Sequence, residues 1–279
     1  MSIASEISRL QTAKAGLKTA IEGKGVTVSD TATLDAYPAL VESIQTGGSG
    51  GSDDDFIGVI ERSVTSVTIP DGCTKVGNYA FYYWNALTDV DMPEAVTSIG
   101  SYAFGSCSKL ALTSLPSRIT SIGSYAFNGC SSLALASLPS GVTSIGNSAL
   151  QYCSSLALTS LPSGVTSISD NAFNGCSSLA LASLPSGVTS IGSYAFGSCS
   201  KLALTSLPSR VTSIGNSAFY NCTSLTTLTF EGTPKTIYST VFQYCDNLKT
   251  INVPWAEGAV ANAPWGATNA TINYNYTGA

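Results

Sequence analysis

Acid–base and nucleophilic catalysis need positioned carboxylates, imidazoles, amines or activated thiols. This chain of 279 residues has no histidine. From Ala95 to Phe230 its one carboxylate is Asp170, and its basic groups are Lys109, Arg118, Lys201 and Arg210. Paired carboxylates of the glycosidase kind are missing from that stretch, as is a glycine-rich phosphate loop ending in Lys-Ser or Lys-Thr. Asp53, Asp54 and Asp55 follow a Gly/Ser run, which fits a solvated spacer better than a metal site. Asp89 and Asp91 stand close in sequence to Tyr82, Tyr83 and Trp84, and fit either a polar end of the molecule or a contact to a cation. Zinc needs close Cys or His ligands, and no close cysteine pair exists. The residues therefore predict no catalytic centre, no metal, no cofactor and no enzyme.

The cysteines carry a different message. Cys107, Cys130, Cys153, Cys176, Cys199, Cys222 and Cys245 recur every 23 residues, and Trp84 holds the same place one period earlier. Leu87, Leu110, Leu133, Leu156, Leu179, Leu202, Leu225 and Leu248 form a second column. Phe81, Phe104, Phe127, Leu150, Phe173, Phe196, Phe219 and Phe242 form a third. A fixed period of this length means a solenoid, whose copies bury their apolar faces only by stacking. Disulfide frameworks use irregular spacings, so the column predicts buried, reduced thiols packed as small hydrophobes. Cys73 lies off the column and reads as a packing residue.

Each copy reads as a short strand at V-T-S-I-G, a turn-rich connector holding Ala-Phe and Cys, and a second strand ending at Leu-Pro. Proline at a strand end closes a ladder without removing a needed N–H. Four parts follow: a helical headpiece at 1–45, a flexible linker at 46–55, the solenoid at 56–254 and an aromatic cap at 255–279. In the headpiece Ile3, Ile7, Leu10, Leu17 and Ile21 form a heptad-like seam with Lys14 in the missing seat. The seam fits either a self-contained helical hairpin or an assembly module, the latter including a homo-oligomer. The cap, with Trp255, Trp265, Tyr274 and Tyr276, would cover the open end of the stack.

The net charge of −5 argues against nucleic-acid binding, which needs a basic stripe. No apolar run approaches the length of a membrane span, and residues 1–25 lack the apolar stretch of a Sec signal peptide. What remains is a surface of hydroxyls, amides and tyrosines. Tyr79, Tyr102, Tyr125 and Tyr194 precede Ala-Phe in four copies, and Tyr82 and Tyr83 follow it in the first. Such residues make adaptable contact surfaces, although hydroxyl ladders also cover solenoid faces that bind nothing.

One anomaly sits in the runs LALTSLP and LALASLP. Val90, Leu228 and Ile251 stand three residues after the column leucine, but Thr113, Ala136, Thr159, Ala182 and Thr205 hold that place in the middle copies. Leu112, Leu135, Leu158, Leu181 and Leu204 come one residue earlier. Strict alternation predicts an exposed leucine stripe; a bulge would turn each leucine inward. Burial is the expectation adopted.

The unit V-T-S-I-G-x-x-A-F-x-x-C-x-x-L-x-x-x-x-L-P resembles the BspA-like, or Treponema pallidum type, leucine-rich repeats over residues 57–254. The resemblance implies a β-rich, right-handed array of about eight 23-residue rungs, without long helices. That family appears in bacterial surface adhesins, protozoan surface proteins and bacteriophage tail proteins. The headpiece and the ending VPWAEGAVANAPWGATNATINYNY are similar to the flanks of phage tail and minor structural proteins. The resemblance thus implies a non-enzymatic tail or tail-fibre component in the virion. Its headpiece would join other tail proteins, and its solenoid would meet a host surface glycan or protein. The alternative is a bacterial cell-surface adhesin or interaction scaffold.

Overall fold

A computed structural model describes residues 64–278. The headpiece seam, the linker and the start of the lead-in fall outside the described residues. The rest is a parallel β-solenoid of about nine turns at 23-residue spacing. Two ladders run along it. The first joins β2 (Lys75–Val76), β4 (Ser98–Ile99), β5 (Ser121–Ile122) and β6 (Ser144–Ile145), then resumes with β7 (Ser167–Ile168), β8 (Ser190–Ile191), β10 (Ser213–Ile214) and β12 (Thr236–Ile237). The second joins β1 (Ser66–Thr68) to β3 (Asp89–Asp91), and later β9 (Ser206–Leu207), β11 (Thr227–Phe230), β13 (Thr250–Asn252) and β14 (Thr271–Asn273). All pairs are parallel, and Ser98↔Ser121 and Leu228↔Ile251 show the in-register match of copy to copy.

The three columns form the core. From Phe104 to Phe242 every member is at most 3% exposed in the phenylalanine, cysteine and leucine columns. The rings stack along the axis, with Phe104 and Phe127 centroids 5.2 Å apart and Phe196 and Phe219 5.5 Å apart. Each column thiol donates to the carbonyl of the phenylalanine-column residue one turn earlier. Cys130 Sγ lies 3.0 Å from Phe104 O, and Cys199 Sγ 3.1 Å from Phe173 O. A small apolar group with a weak donor suits that place, because the carbonyl is buried and would otherwise lack its second partner.

The connector reverses the direction of inter-turn bonding. In the strands an N–H points back one turn, as Thr120 N does to Thr97 O at 2.9 Å. In the connector alternate N–H groups point forward, as Tyr102 N does to Ser124 O at 2.9 Å and Phe104 N to Ala126 O at 2.7 Å. The reversal needs left-handed residues, and each turn from 102 to 221 places them at two fixed positions. Tyr102 (φ 57°) and Ser106 (φ 63°) serve one turn, and Tyr194 (φ 52°) and Ser198 (φ 57°) another.

The leucine anomaly resolves inward. Leu112 is 6% exposed and Leu135, Leu158 and Leu181 are fully buried, with Leu204 at 2%. In β11 and the residues before it, the inward side chains are Leu225, Leu228 and Phe230; in the middle turns they are Leu110, Leu112 and Leu115. The spacing three-then-two becomes two-then-three, so the period is unchanged and the later residue of the set stays in column. The offset shows in the bonding: Ala134 N reaches Leu112 O, 22 positions back, whereas Lys249 N reaches Thr226 O, 23 back. Regular alternation is lost there, which is why no second-ladder strand forms between β3 and β9. Pairing resumes where the two spacings coincide again, at Ser206↔Thr229 and Leu207↔Phe230.

The tail keeps more of the repeat than its sequence suggests. Trp265 stands 23 residues after Phe242, is fully buried, and its carbonyl accepts from Phe242 N at 2.8 Å. β14 then pairs with β13 as a further turn, its register shortened to Thr250↔Thr271. Trp255 and Phe230 pack against Trp265, with ring centroids 6.2 and 5.9 Å from it.

Candidate interaction surface

Tyr79, Tyr102, Tyr125 and Tyr194 share one left-handed connector position, with φ between 52° and 58°, and Tyr79 and Tyr194 there are 39% and 37% exposed. Ser148, Asn171 and Ser217 hold the same backbone conformation, so the kink belongs to the turn and the tyrosine is added to it.

Five of the six tyrosines expected to form a surface come together. Tyr79 and Tyr102 stack at 4.9 Å with a 5° interplanar angle, and Tyr102 and Tyr125 at 4.6 Å and 6°. Tyr82 meets Tyr79 and Tyr102 edge-on at 5.6 and 5.5 Å, and Tyr83 lies 4.2 Å from Tyr82. Gly105 makes room for this packing: a Cβ there would sit 2.9 Å from the Tyr82 ring. The stack stops at Ser148, which carries no ring.

Tyr194 is separate. It pairs with Tyr220 at 6.0 Å, and Tyr220 meets Tyr244 edge-on at 5.1 Å. Tyr220 and Tyr244 were missed from sequence, although they stand a whole number of periods after Tyr82 and Tyr83. Column arithmetic carried to the last turns would have found them.

Two of these phenols, Tyr82 and Tyr102, are held in the protonated form by their surroundings. The hydrogen bond with Tyr83 pushes the Tyr82 hydroxyl up to about 12. Removal from water, then the neighbouring Tyr125 and Tyr79, raises Tyr102. Tyr82 and Tyr102 therefore offer neutral hydroxyls that both donate and accept, and the patch adds ring edges. Asp89 and Asp91 are exposed on β3. Among the described residues no group of three or more His, Cys, Asp or Glu side chains is placed to hold a metal ion. No helix among the described residues is long and apolar enough to cross a membrane.

No curated protein matches the chain. Among solved structures it is similar to a leucine-rich repeat protein from Bacteroides ovatus, at 25% identity and a TM-score of 0.53, covering 76% of this chain and 61% of that one. The chain thus spans less than two thirds of that relative. It is also similar to a leucine rich cell surface protein from Faecalibacterium prausnitzii, at 24% identity and a TM-score of 0.36, covering 78% and 89%. The T. pallidum leucine rich repeat protein matches at 24% identity and a TM-score of 0.34, covering 70% and 73%. A sequence model of the BspA type leucine rich repeat region, in six copies, matches residues 60–180 and 166–257. With the 23-residue parallel turns and the buried Phe, Cys and Leu columns in place, the chain belongs to the BspA type leucine-rich repeat family.

Proposed function

We propose that the solenoid is a non-enzymatic interaction scaffold of the surface-adhesin type, and that Tyr79, Tyr82, Tyr83, Tyr102 and Tyr125 form its contact patch for a cell-surface glycan or protein. One observation carries the proposal: these five side chains pack on one another outside the core, with Tyr83 46% and Tyr79 39% exposed. Clustered tyrosines give a large, rigid contact area at low entropic cost. The scarcity of acid–base groups supports a binding role. The headpiece seam at Ile3, Ile7, Leu10, Leu17 and Ile21 would attach the scaffold to a larger assembly or a second copy. A tail-fibre role rests on the flanks alone, and the family match adds nothing to it, so the adhesin-type scaffold is preferred.

The test is binding of the full chain to immobilised extracellular-matrix proteins and bacterial surface polysaccharides. A Tyr79→Ala/Tyr102→Ala/Tyr125→Ala variant with unchanged circular dichroism is expected to lose at least tenfold in affinity, about 1.4 kcal/mol. Wild-type affinity in that variant for every surface bound would overturn the patch.

A further inference from the structure

The column that holds glycine in most turns is occupied by larger side chains at two places. It reads Gly77, Gly100, Gly123, Gly146, Ser169, Gly192, Gly215 and Tyr238. Two glycines are therefore walled between Ser169 and Tyr238, three turns apart. The walls bound a groove of about 400 Å³, within the usual range of small-ligand sites, and it includes Ser190, Ser213 and Asp170.

The lining has a definite chemistry. Tyr238 is 51% exposed and offers a ring at one end. Asp170, the one carboxylate between Ala95 and Phe230, stands at the other. Its Oδ1 accepts from Ser193 N at 2.6 Å, which holds the carboxylate in place beside the groove. The floor between them carries serine hydroxyls, with glycine backbone lying level with it. A row of serines and glycines alone is the ordinary face of this repeat. The aromatic wall and the held carboxylate distinguish these turns from those at Gly77–Gly146.

We infer that this groove is a subsite for a neutral saccharide. A pyranose has an apolar C–H face, which suits the Tyr238 ring, and a rim of hydroxyls, which suits serine and a carboxylate acceptor. Its volume admits a short stretch of a chain, and its axis lies along the turns. The Asp170 charge disfavours sulfated, phosphorylated or uronic sugars. The inference goes beyond the proposed tyrosine patch and shares no residue with it.

The experiment is isothermal titration of the full chain with two neutral probes, chitotetraose and maltotetraose, supported by saturation-transfer NMR. Wild type is expected to bind at least one. Tyr238→Ala is expected to weaken that binding at least tenfold, and Asp170→Asn about threefold to tenfold. Both side chains are exposed, so folding should be unaffected, and a melting curve checks it. The Tyr79→Ala/Tyr102→Ala/Tyr125→Ala variant is expected to bind the probe as wild type does, so failure of the patch and failure of the groove are separable. Binding of neither probe, or equal binding by wild type and Tyr238→Ala, would overturn the inference.

Discussion

The hydroxyl of Ser169 donates to the carbonyl of Ile145 at 2.7 Å, where neighbouring turns use a glycine N–H. Gly146 N reaches Ile122 O at 2.9 Å and Gly192 N reaches Ile168 O at 2.8 Å. Glycine is needed there because successive turns approach closely: a Cβ on Gly215 would lie 2.4 Å from Ser193 N. Serine at 169 cannot approach as near, and its side chain supplies the bond instead. The first ladder is accordingly split between β6 and β7.

Gly215→Ala is expected to destabilise the solenoid by about 1–3 kcal/mol, because backbone has to move to admit the methyl group. Ser169→Gly exchanges one hydrogen bond for another and should change stability by less than about 1 kcal/mol. Its amide at 169 should exchange more slowly with solvent. Urea unfolding and hydrogen exchange read both; an unchanged midpoint for Gly215→Ala would refute the close-approach argument.

Leu158→Ala should cost about 2–5 kcal/mol, the range for a core leucine, since Leu158 is fully buried. Thr159→Ala, one residue on and exposed, should stay within about 0.5 kcal/mol. Equal effects from the two substitutions would contradict the inward turn of the leucines.

The thiols make stability sensitive to alkali. Burial pushes Cys107 up to about 12 from an ordinary 9.0, and burial raises Cys130, Cys153 and Cys199 in the same direction. A folded-state value above the unfolded one favours the native state while the thiol is protonated. That contribution is fully present below about pH 9 and is lost as pH rises toward 12. Unfolding midpoints should fall across this window. Substituting Cys107, Cys130, Cys153 and Cys199 by alanine should flatten the fall, and a curve of the same slope in that variant would assign the loss to other groups. The seven column thiols, all buried, should react slowly with thiol reagents until the protein unfolds.

Trp265→Ala should cost about 3–5 kcal/mol, as for other buried aromatics, and should loosen the last turns first. Hydrogen exchange at β13 and β14 would show that order. A loss of protection spread evenly along the array would show instead that the tail does not act as an end turn.

The repeat was legible because three apolar columns recur at one spacing, and the burial of Phe, Cys and Leu follows from stacking alone. The inward turn of Leu158 was harder to read. Position three after the column leucine is apolar at Val90 and Leu228 but Thr or Ala in the middle turns, and only the compensated spacing to Leu161 reveals that alternation has shifted. Trp265 was assigned to an irregular cap because its neighbours differ from the repeat, although its distance from Phe242 is one period. The left-handed connector sites were hidden because Tyr, Ser and Asn occupy them far more often than Gly does. Their conformation is imposed by forward hydrogen bonds between turns, which no local preference announces. The groove between Ser169 and Tyr238 was missed because it depends on two departures from glycine that look like ordinary drift in isolation.

Residues 96–118 and 188–210 are identical and lie a whole number of turns apart. Because the bonds between turns recur at the same offsets from one copy to the next, a recombination that joins such copies out of step would add or delete complete turns. The new junction would meet the same carbonyls, thiols and rings as the old. Length in this array is therefore an inheritable setting that changes in whole steps, and with it the distance between the tyrosine patch near one end and the Tyr238 groove near the other.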